Sequence, residues 1–208
     1  MSKSISQNLL EKIKPLKFWL SIAPFVRLVG VNGSVARGKA DKDSDIDFLV
    51  VAKSGRIWTV RFLVSGIVWA MGLLRGPNER AGKVCLNCFL TDKSLNIDPK
   101  NEERKKVALS NLTLLPLTDV DETYEKFMKT NQWMGKFGKF LIHKSKIINH
   151  KSKIQSLLEK ILSKRLGDFL EKKLKKYQLR RILRDPRTNK RGSGQVATDR
   201  KIRFLERA

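Results

Sequence analysis

Cysteine and histidine are scarce in this chain of 208 residues, which contains two of each. Cys85 and Cys88 form a single C-x-x-C pair, and the two histidines, His143 and His150, lie far away in a lysine-rich stretch. A lone pair is weak evidence for zinc, and on a regular strand its two thiols would project to opposite faces of the sheet. The sequence therefore predicts buried, reduced cysteines and a cytoplasmic protein.

Long apolar runs are also missing. An uncharged run from Phe62 to Leu74 spans 13 residues and includes two glycines, which is short of the roughly 20 apolar residues that a transmembrane helix needs. We interpret it as a buried helix between two strands. The N-terminal run from Phe18 to Val26 is interrupted by Pro24 and leads directly into a β-prone segment, so we expect neither a secretion signal nor a transmembrane segment.

Acidic residues are few, because 44 Lys+Arg face 20 Asp+Glu and the net charge is +24. The excess is uneven: residues 1–134 carry 21 Lys+Arg against 14 Asp+Glu (+7), and residues 135–208 carry 23 against 6 (+17). A basic C-terminal half is compatible with nucleic-acid binding. The alternative is a set of solvated helix faces, since the segment from Lys151 onward lacks the interleaved aromatics of a base-stacking surface.

Two carboxylates stand at the head of an apolar run. Asp45 and Asp47 flank Ile46 and precede Phe48-Leu49-Val50-Val51, a pattern typical of a buried strand. Since side chains alternate across a strand, both carboxylates leave it on the same face. Adjacent like charges need a cation between them, and Mg²⁺ is the hard ion that pairs with substrate phosphates. The spacing therefore predicts a magnesium site.

A Gly-Ser corner comes before the carboxylates. Gly33 and Ser34 follow a β-prone run, Phe25 to Val31, where a strand gives way to a turn or helix. Backbone N–H groups at such a corner, with a hydroxyl beside them, suit a phosphate, and glycine allows the close approach. Arg37 and Lys39 are placed to add positive charge. The whole segment predicts a phosphate-and-metal site.

Gly33, Ser34, Asp45 and Asp47 resemble, position by position, the pattern of the DNA polymerase beta-like nucleotidyltransferase superfamily, in particular its small stand-alone domains. The resemblance covers roughly residues 25–90. It implies transfer of a nucleoside monophosphate from a nucleotide triphosphate, usually ATP, to an acceptor hydroxyl. It also implies that Ser34 holds a triphosphate oxygen and that Asp45 and Asp47 hold Mg²⁺.

The same resemblance calls for a third carboxylate on a neighbouring strand, where it helps to hold a second metal and takes the proton of the attacking hydroxyl. The expected strand, Lys83 to Leu90, has Asn87 at its midpoint. An amide is not basic near neutral pH and cannot take that proton. Asp92 lies five residues later and would face the other side of a regular strand, although a bulge would bring it around.

The expected fold class is α/β (α+β): a small mixed sheet of nucleotidyltransferase type, flanked by helices, with a basic helical C-terminal region. We expect a core with an N-terminal helix over residues 1–115, a helical region over 116–183 with a break at Gly167, and a basic, flexible tail over 184–208. The Gly192-Ser193 pair lacks any Asp-x-Asp sequel and receives no catalytic role.

Two functions follow from these predictions. The first is a Mg²⁺-dependent nucleotidyltransferase whose acceptor is a small alcohol, a protein hydroxyl or RNA. The second is a degenerate fold of the same type that binds nucleotide or RNA without turnover, and Asn87 favours it. The sequence does not choose the acceptor.

Overall fold

A computed structural model describes residues 4–76, 79–99, 101–141, 151–184 and 196–203. Eight α-helices, a 3₁₀ helix and six strands occur in these segments. The helices are α1 (Ile5–Ile13), α2 (Leu16–Ile22), α3 (Gly33–Ala36), α4 (Ile57–Ala70), α5 (Arg104–Asn111), α6 (Thr123–Thr130), the 3₁₀ helix (Gln132–Phe137), α7 (Lys153–Leu162) and α8 (Arg165–Arg184). The strands are β1 (Val26–Asn32), β2 (Ile46–Ala52), β3 (Val84–Thr91), β4 (Leu115–Asp119), β5 (Val196–Ala197) and β6 (Lys201–Arg203).

The strands form one mixed sheet in the order β4-β1-β2-β3-β6-β5. β2 and β3 are parallel and are joined through α4, while the other neighbouring pairs are antiparallel. A parallel pair needs a crossover, and the uncharged run predicted as a buried helix supplies it. The mixed α/β fold expected from the sequence is confirmed.

Helices cover both faces of the sheet. Phe48 and Val50 of β2 lie on one face, in a core with α1, α2 and α4. Leu49 and Val51 lie on the other, in a core with α5, α6 and the 3₁₀ helix. Because β2 is buried on both faces, it reads in the sequence as a continuous apolar run rather than an alternating one.

A β-bulge interrupts the pairing of β2 with β3. Asp47 pairs with Cys85 and Leu49 with Cys88, so three steps along β3 match two along β2. The extra residue returns Cys88 to the face that Cys85 occupies. The expectation that the two thiols project to opposite faces is therefore wrong, because it assumed a regular strand.

The C-terminal helices pack on the first core face rather than projecting into solvent. α8 lies on α4, and α7 lies against α2. Helix α7 ends at Leu162 and α8 begins at Arg165. Gly167 therefore lies in the first turn of α8 and not at the break between the two helices. A Cβ on Gly167 would lie 1.6 Å from the carbonyl oxygen of Leu162, so a glycine is required for the tight connection between the two helices.

Strands are contributed by all three segments that the sequence suggested as units. β4 (115–119) lies at one edge of the sheet, and β6 pairs with β3 near the other. β5 and β6 fall within the segment expected to be a flexible tail, and their eight-residue stretch 196–203 is ordered as a strand pair. The domain limits themselves stay a prediction. His143, His150 and Gly192-Ser193 lie outside the described residues.

Candidate functional site

The Gly-Ser corner lies where β1 ends and α3 begins, as the sequence predicts. Gly33 has φ +73°, a left-handed backbone that favours glycine. A Cβ at this position would lie 2.7 Å from Oδ2 of Asp47. Glycine is required here for two reasons, since it permits both the turn and the close approach of the Asp47 carboxylate.

Ser34 is half-buried, and its Oγ lies 3.5 Å from Oγ of Ser44. Ser44 in turn donates to Oδ1 of Asp41 at 2.6 Å. This hydrogen bond is the main reason that the pKa of Asp41 lies below its ordinary value. Asp41 and Asp43 are exposed, so these two acids belong to the loop and not to the carboxylate pair. The loop thus brings Ser34 to Ser44, the residue that precedes Asp45.

Asp45 and Asp47 meet Cys85 at the head of the β2–β3 pair. One ligand atom from each of these side chains lies within 4.8 Å of the other two. Ile46, between the two aspartates, is fully buried on the opposite face. The structure thus brings together the carboxylates that the sequence selected and adds a thiol that it did not. Two carboxylates and a thiol are donors that divalent metals accept, so the group fits a metal ion.

Arg75 lies against this group. Its Nη1 donates to Oδ2 of Asp45 at 2.8 Å and lies 3.6 Å from Sγ of Cys85. Burial, followed by the negative charges of Asp47 and Asp45, raises the pKa of Cys85 to about 12, although Arg75 opposes the shift. The thiol is therefore protonated at neutral pH in this arrangement, and the guanidinium supplies positive charge beside Asp45.

Asn87 also reaches the carboxylates. Its Nδ2 donates to Oδ1 of Asp47 at 2.8 Å, which places it next to the pair as the sequence predicts for the third position. Asp92 is located elsewhere. It follows the C-terminal end of β3, and its carboxylate accepts from the backbone N–H of Ser54. The distance along β2 from Asp47 to Ala52, beside Asp92, corresponds to about 16 Å, so the bulge does not bring Asp92 to the site.

Arg37 and Lys39 lie just beyond the corner, and both are exposed. Arg37 donates from Nε to the carbonyl oxygen of Gly33 at 3.2 Å, and the backbone N–H of Lys39 donates to the carbonyl oxygen of Ser34 at 2.9 Å. These bonds close the corner and leave both cationic side chains on the solvent side of it.

An asparagine pair ties α5 to the site. Asn32, which pairs with Asp47 across β1 and β2, donates from Nδ2 to Oδ1 of Asn111 at 2.9 Å. Oδ1 of Asn32 is buried and has no hydrogen-bond partner among the described residues. No local pattern predicts this pair, because the two residues are 79 positions apart.

Comparison with known proteins identifies the family. A model of the family described as "Nucleotidyltransferase domain" matches residues 12–185. The chain therefore belongs to the nucleotidyltransferase domain family, and the resemblance seen in the sequence is confirmed. Enzymes of this family generally use a divalent metal, and Asp45, Asp47 and Cys85 form a group able to hold one.

Among solved structures, the chain is similar to one described as the crystal structure of a toxin-antitoxin with AMP-PNP. The two share 14% identity with a TM-score of 0.36, over 73% of this chain and 98% of the other. Comparison with curated proteins finds no match. None of the helices in the described residues is long and apolar enough to cross a membrane.

Proposed function

We propose that this protein transfers a nucleoside monophosphate from a nucleotide triphosphate, with ATP and Mg²⁺ as the expected substrate and ion, to an acceptor hydroxyl. The observation that carries the proposal is the meeting of Asp45 and Asp47 beside the Gly33 corner. In the reaction, the acceptor oxygen bonds to the α-phosphorus, the bond to the pyrophosphate oxygen breaks, and the acceptor proton leaves.

Each residue has a proposed role. Asp45 and Asp47 hold the divalent ion, which on binding neutralises phosphate charge and positions the reacting groups. Ser34 offers its hydroxyl to a triphosphate oxygen, and Gly33 keeps that corner close to Asp47. Arg37 and Lys39 add positive charge from the solvent side.

The proton acceptor is not Asn87. The amide donates to Asp47, and it has no basic group near neutral pH. We propose that water or the acceptor substrate itself carries the proton away, since Asp92 lies at the other end of β3. Slow transfer is the expected consequence, because a positioned general base contributes about 10²- to 10⁴-fold.

The test is metal-dependent pyrophosphate release from ATP over a panel of acceptors. Release should be lost in the double variant Asp45→Asn, Asp47→Asn. The matched control is Asp43→Asn, which removes an exposed acid from the same loop and should retain release. Equal release from the double variant and the wild type would refute the proposal.

Nucleotide binding without turnover is the second candidate, and the amide at position 87 favours it. It predicts that ATP binds, by calorimetry, with no pyrophosphate formed for any acceptor. Asn87→Asp then separates the candidates: a rise in turnover supports an enzyme limited by its missing base, and continued inactivity with intact ATP binding supports the binding module.

The nature of the acceptor is also a proposal, and the charge of α8 favours RNA. Both acids of this helix are engaged by the start of α4: the exposed Asp168 accepts from Arg56, and the half-buried Glu171 accepts from the backbone N–H groups of Trp58 and Thr59. The cations remain on the outside. The exposed basic residues of α8 are Arg165, Lys172, Lys173, Lys176, Arg180, Arg181 and Arg184.

A helix with so many exposed cations suits a polyanion. Added salt weakens such binding because the release of counterions from the polyanion then contributes less free energy. Lys172→Glu with Lys176→Glu should lower RNA affinity and flatten its salt dependence. Lys126→Glu with Lys129→Glu on α6 is the matched control, since it makes the same charge change on another exposed helix. Equal losses in both variants would indicate only a response to net charge.

A cytoplasmic location stays a prediction.

A further inference from the structure

The residue directly across from Asp47 on the neighbouring strand is Cys85, not Asn87. The register of β2 and β3 pairs these two positions, and side chains of paired residues leave the sheet on the same face. Cys85 therefore occupies the place next to both carboxylates, whereas Asn87 lies two residues farther along and contacts Asp47 through its amide nitrogen.

The donor set at this place is unusual for magnesium. Mg²⁺ takes oxygen ligands, whereas a thiolate together with carboxylates suits a borderline ion such as Zn²⁺ or Co²⁺. Cys85 is mostly buried, and its Sγ, like one oxygen of each aspartate, lies within 4.8 Å of the other two ligand atoms. Small side-chain movements would bring all three onto a single ion.

We propose that Cys85 is the third metal ligand of this site, beside Asp45 and Asp47, and that the site therefore prefers a thiophilic divalent ion of the Zn²⁺ and Co²⁺ class over Mg²⁺. The metal–sulfur bond forms as the thiol proton passes to water. The inference rests on the proposed nucleotide-and-metal site and revises the ion that the site takes.

Arg75 is the group that the ion displaces. Its Nη1 lies 2.8 Å from Asp45 and 3.6 Å from Cys85, between two of the three ligands. A guanidinium and a metal ion cannot both occupy this position, because their positive charges repel. Metal binding therefore requires the Arg75 side chain to turn away from Asp45 and Cys85.

Cys88 provides an internal control. The bulge returns it to the same face as Cys85, but it lies one pairing farther from the carboxylates, against Leu49, and belongs to the apolar core of that face. Replacing Cys88 therefore removes a neighbouring thiol and leaves the proposed ligands in place, so metal binding at a built site should depend on Cys85 and not on Cys88.

The first experiment uses Co²⁺ alone as a spectroscopic probe of the purified full chain. The wild type and Cys88→Ala should show the ultraviolet band of sulfur-to-cobalt charge transfer, and Cys85→Ser should not. In competition experiments, the equilibrium constant for displacement of Co²⁺ by Zn²⁺ should be about tenfold lower in Cys85→Ser than in the wild type, a change of one unit in log K. Cys85→Asp should shift the preference toward Mg²⁺.

A second measurement does not depend on any variant folding. X-ray absorption of the wild-type Zn²⁺ complex should show a single sulfur neighbour at about 2.3 Å together with oxygen or nitrogen neighbours. A spectrum without sulfur, or with two sulfurs, would overturn the proposal. So would a charge-transfer band that survives in Cys85→Ser.

These results are separable from the proposed activity. Loss of the cobalt band in Cys85→Ser supports the ligand assignment even if no acceptor is ever found. Conversely, pyrophosphate release that depends on Asp45 and Asp47, in a protein whose metal shows no sulfur ligand, would retain the proposed function and refute the role of Cys85.

Discussion

Carboxylates are placed in two different ways in this protein. On the core face under the C-terminal helices, Glu159 of α7 accepts from Arg27, Lys151 and the backbone N–H of Phe25. At the head of β2, Asp45 and Asp47 instead lie beside one another and beside the Cys85 thiol. The first arrangement surrounds one acid with donors. In the second, Asp45 accepts from Arg75 and Asp47 accepts from Asn87, but two groups of like charge also lie close together.

The difference separates structural acids from functional ones. Burial alone would raise the pKa of Glu159, but the hydrogen bonds from Arg27, Lys151 and Phe25 outweigh it, and the net shift is downward. Such an acid stabilises the fold. Arg75 and Asn87 donate to the crowded pair, and a divalent ion would offset the repulsion between its two charges further, so the position of the pair at the site is best explained by a ligand.

The largest expected effect is on activity. Asp45→Asn with Asp47→Asn should reduce transfer by at least about a thousandfold, equivalent to about 4 kcal/mol of barrier, because the ion loses two ligands. The same change should alter the unfolding temperature little, since it removes the repulsion between the two carboxylates together with the Arg75–Asp45 ion pair. A large fall in unfolding temperature would show that the pair is structural, and would contradict the distinction between Glu159 and the two aspartates.

The next effect is on stability. Glu159→Ala leaves Arg27, whose side chain is 6% exposed, without its main partner, and removing one member of a buried ion pair costs about 3–5 kcal/mol. We expect the free energy of unfolding, from urea titration, to fall by about 3 kcal/mol because Asp121 also lies 3.5 Å from Arg27. Transfer by the folded fraction should be unchanged.

The pH dependence of stability gives the sign of this contribution. Since the pKa of Glu159 is lowered in the folded state, its stabilisation is present above the ordinary glutamate pKa of about 4.3 and is lost as the pH falls through the folded-state pKa. In Glu159→Gln the urea midpoint of unfolding should therefore fall less steeply as the pH is lowered. The same fall in both proteins would contradict the assignment.

A smaller loss of stability is expected at the start of α4. Glu171 accepts from the N–H groups of Trp58 and Thr59 and from the Thr59 hydroxyl at 2.6–3.0 Å, so it caps this helix from α8. Glu171→Ala should cost about 1–2 kcal/mol, as loss of a helix cap does. Glu125→Ala, which removes an exposed glutamate of α6, is the control and should change the unfolding midpoint little.

The last comparison tests the corner itself. Gly33→Ala and Gly38→Ala both place a Cβ at positive φ, +73° and +70°, which costs about 1–2 kcal/mol in each case. Only at Gly33 does the Cβ meet Asp47, since nothing lies within 4 Å of it at Gly38. Metal binding, measured by calorimetry, should therefore weaken in the first variant alone, and equal binding would show that the close approach is unimportant.

Much of the site could be predicted from local patterns. Gly33, Asp45 and Asp47 lie within 15 consecutive residues, and the turn and the strand that place them are encoded by glycine and by the apolar run. The sequence does not identify Cys85 as part of the site, because the two cysteines form a C-x-x-C pair that predicts opposite faces on a regular strand. The bulge and the register with β2 decide its place, and neither has a local signature.

The C-terminal region shows the same limit. Helical spacing predicted α7 and α8, but the sequence did not reveal that Glu159 and Glu171 turn inward onto β1 and α4 while the cations stay outside. Nor did it show that β6 would pair with β3. These contacts join residues more than 100 positions apart, so no window along the chain contains both partners.

By itself, therefore, the sequence determined the corner, the paired carboxylates, the crossover helix and the family, because short-range geometry and side-chain alternation fix them. Only the tertiary structure decided which group stands across from Asp47, that Arg75 reaches Asp45, and that Asp92 lies at the far end of its strand. The physical reason is that strand register and helix docking are set by packing between distant segments, and a single added residue in β3 changes every neighbour that follows.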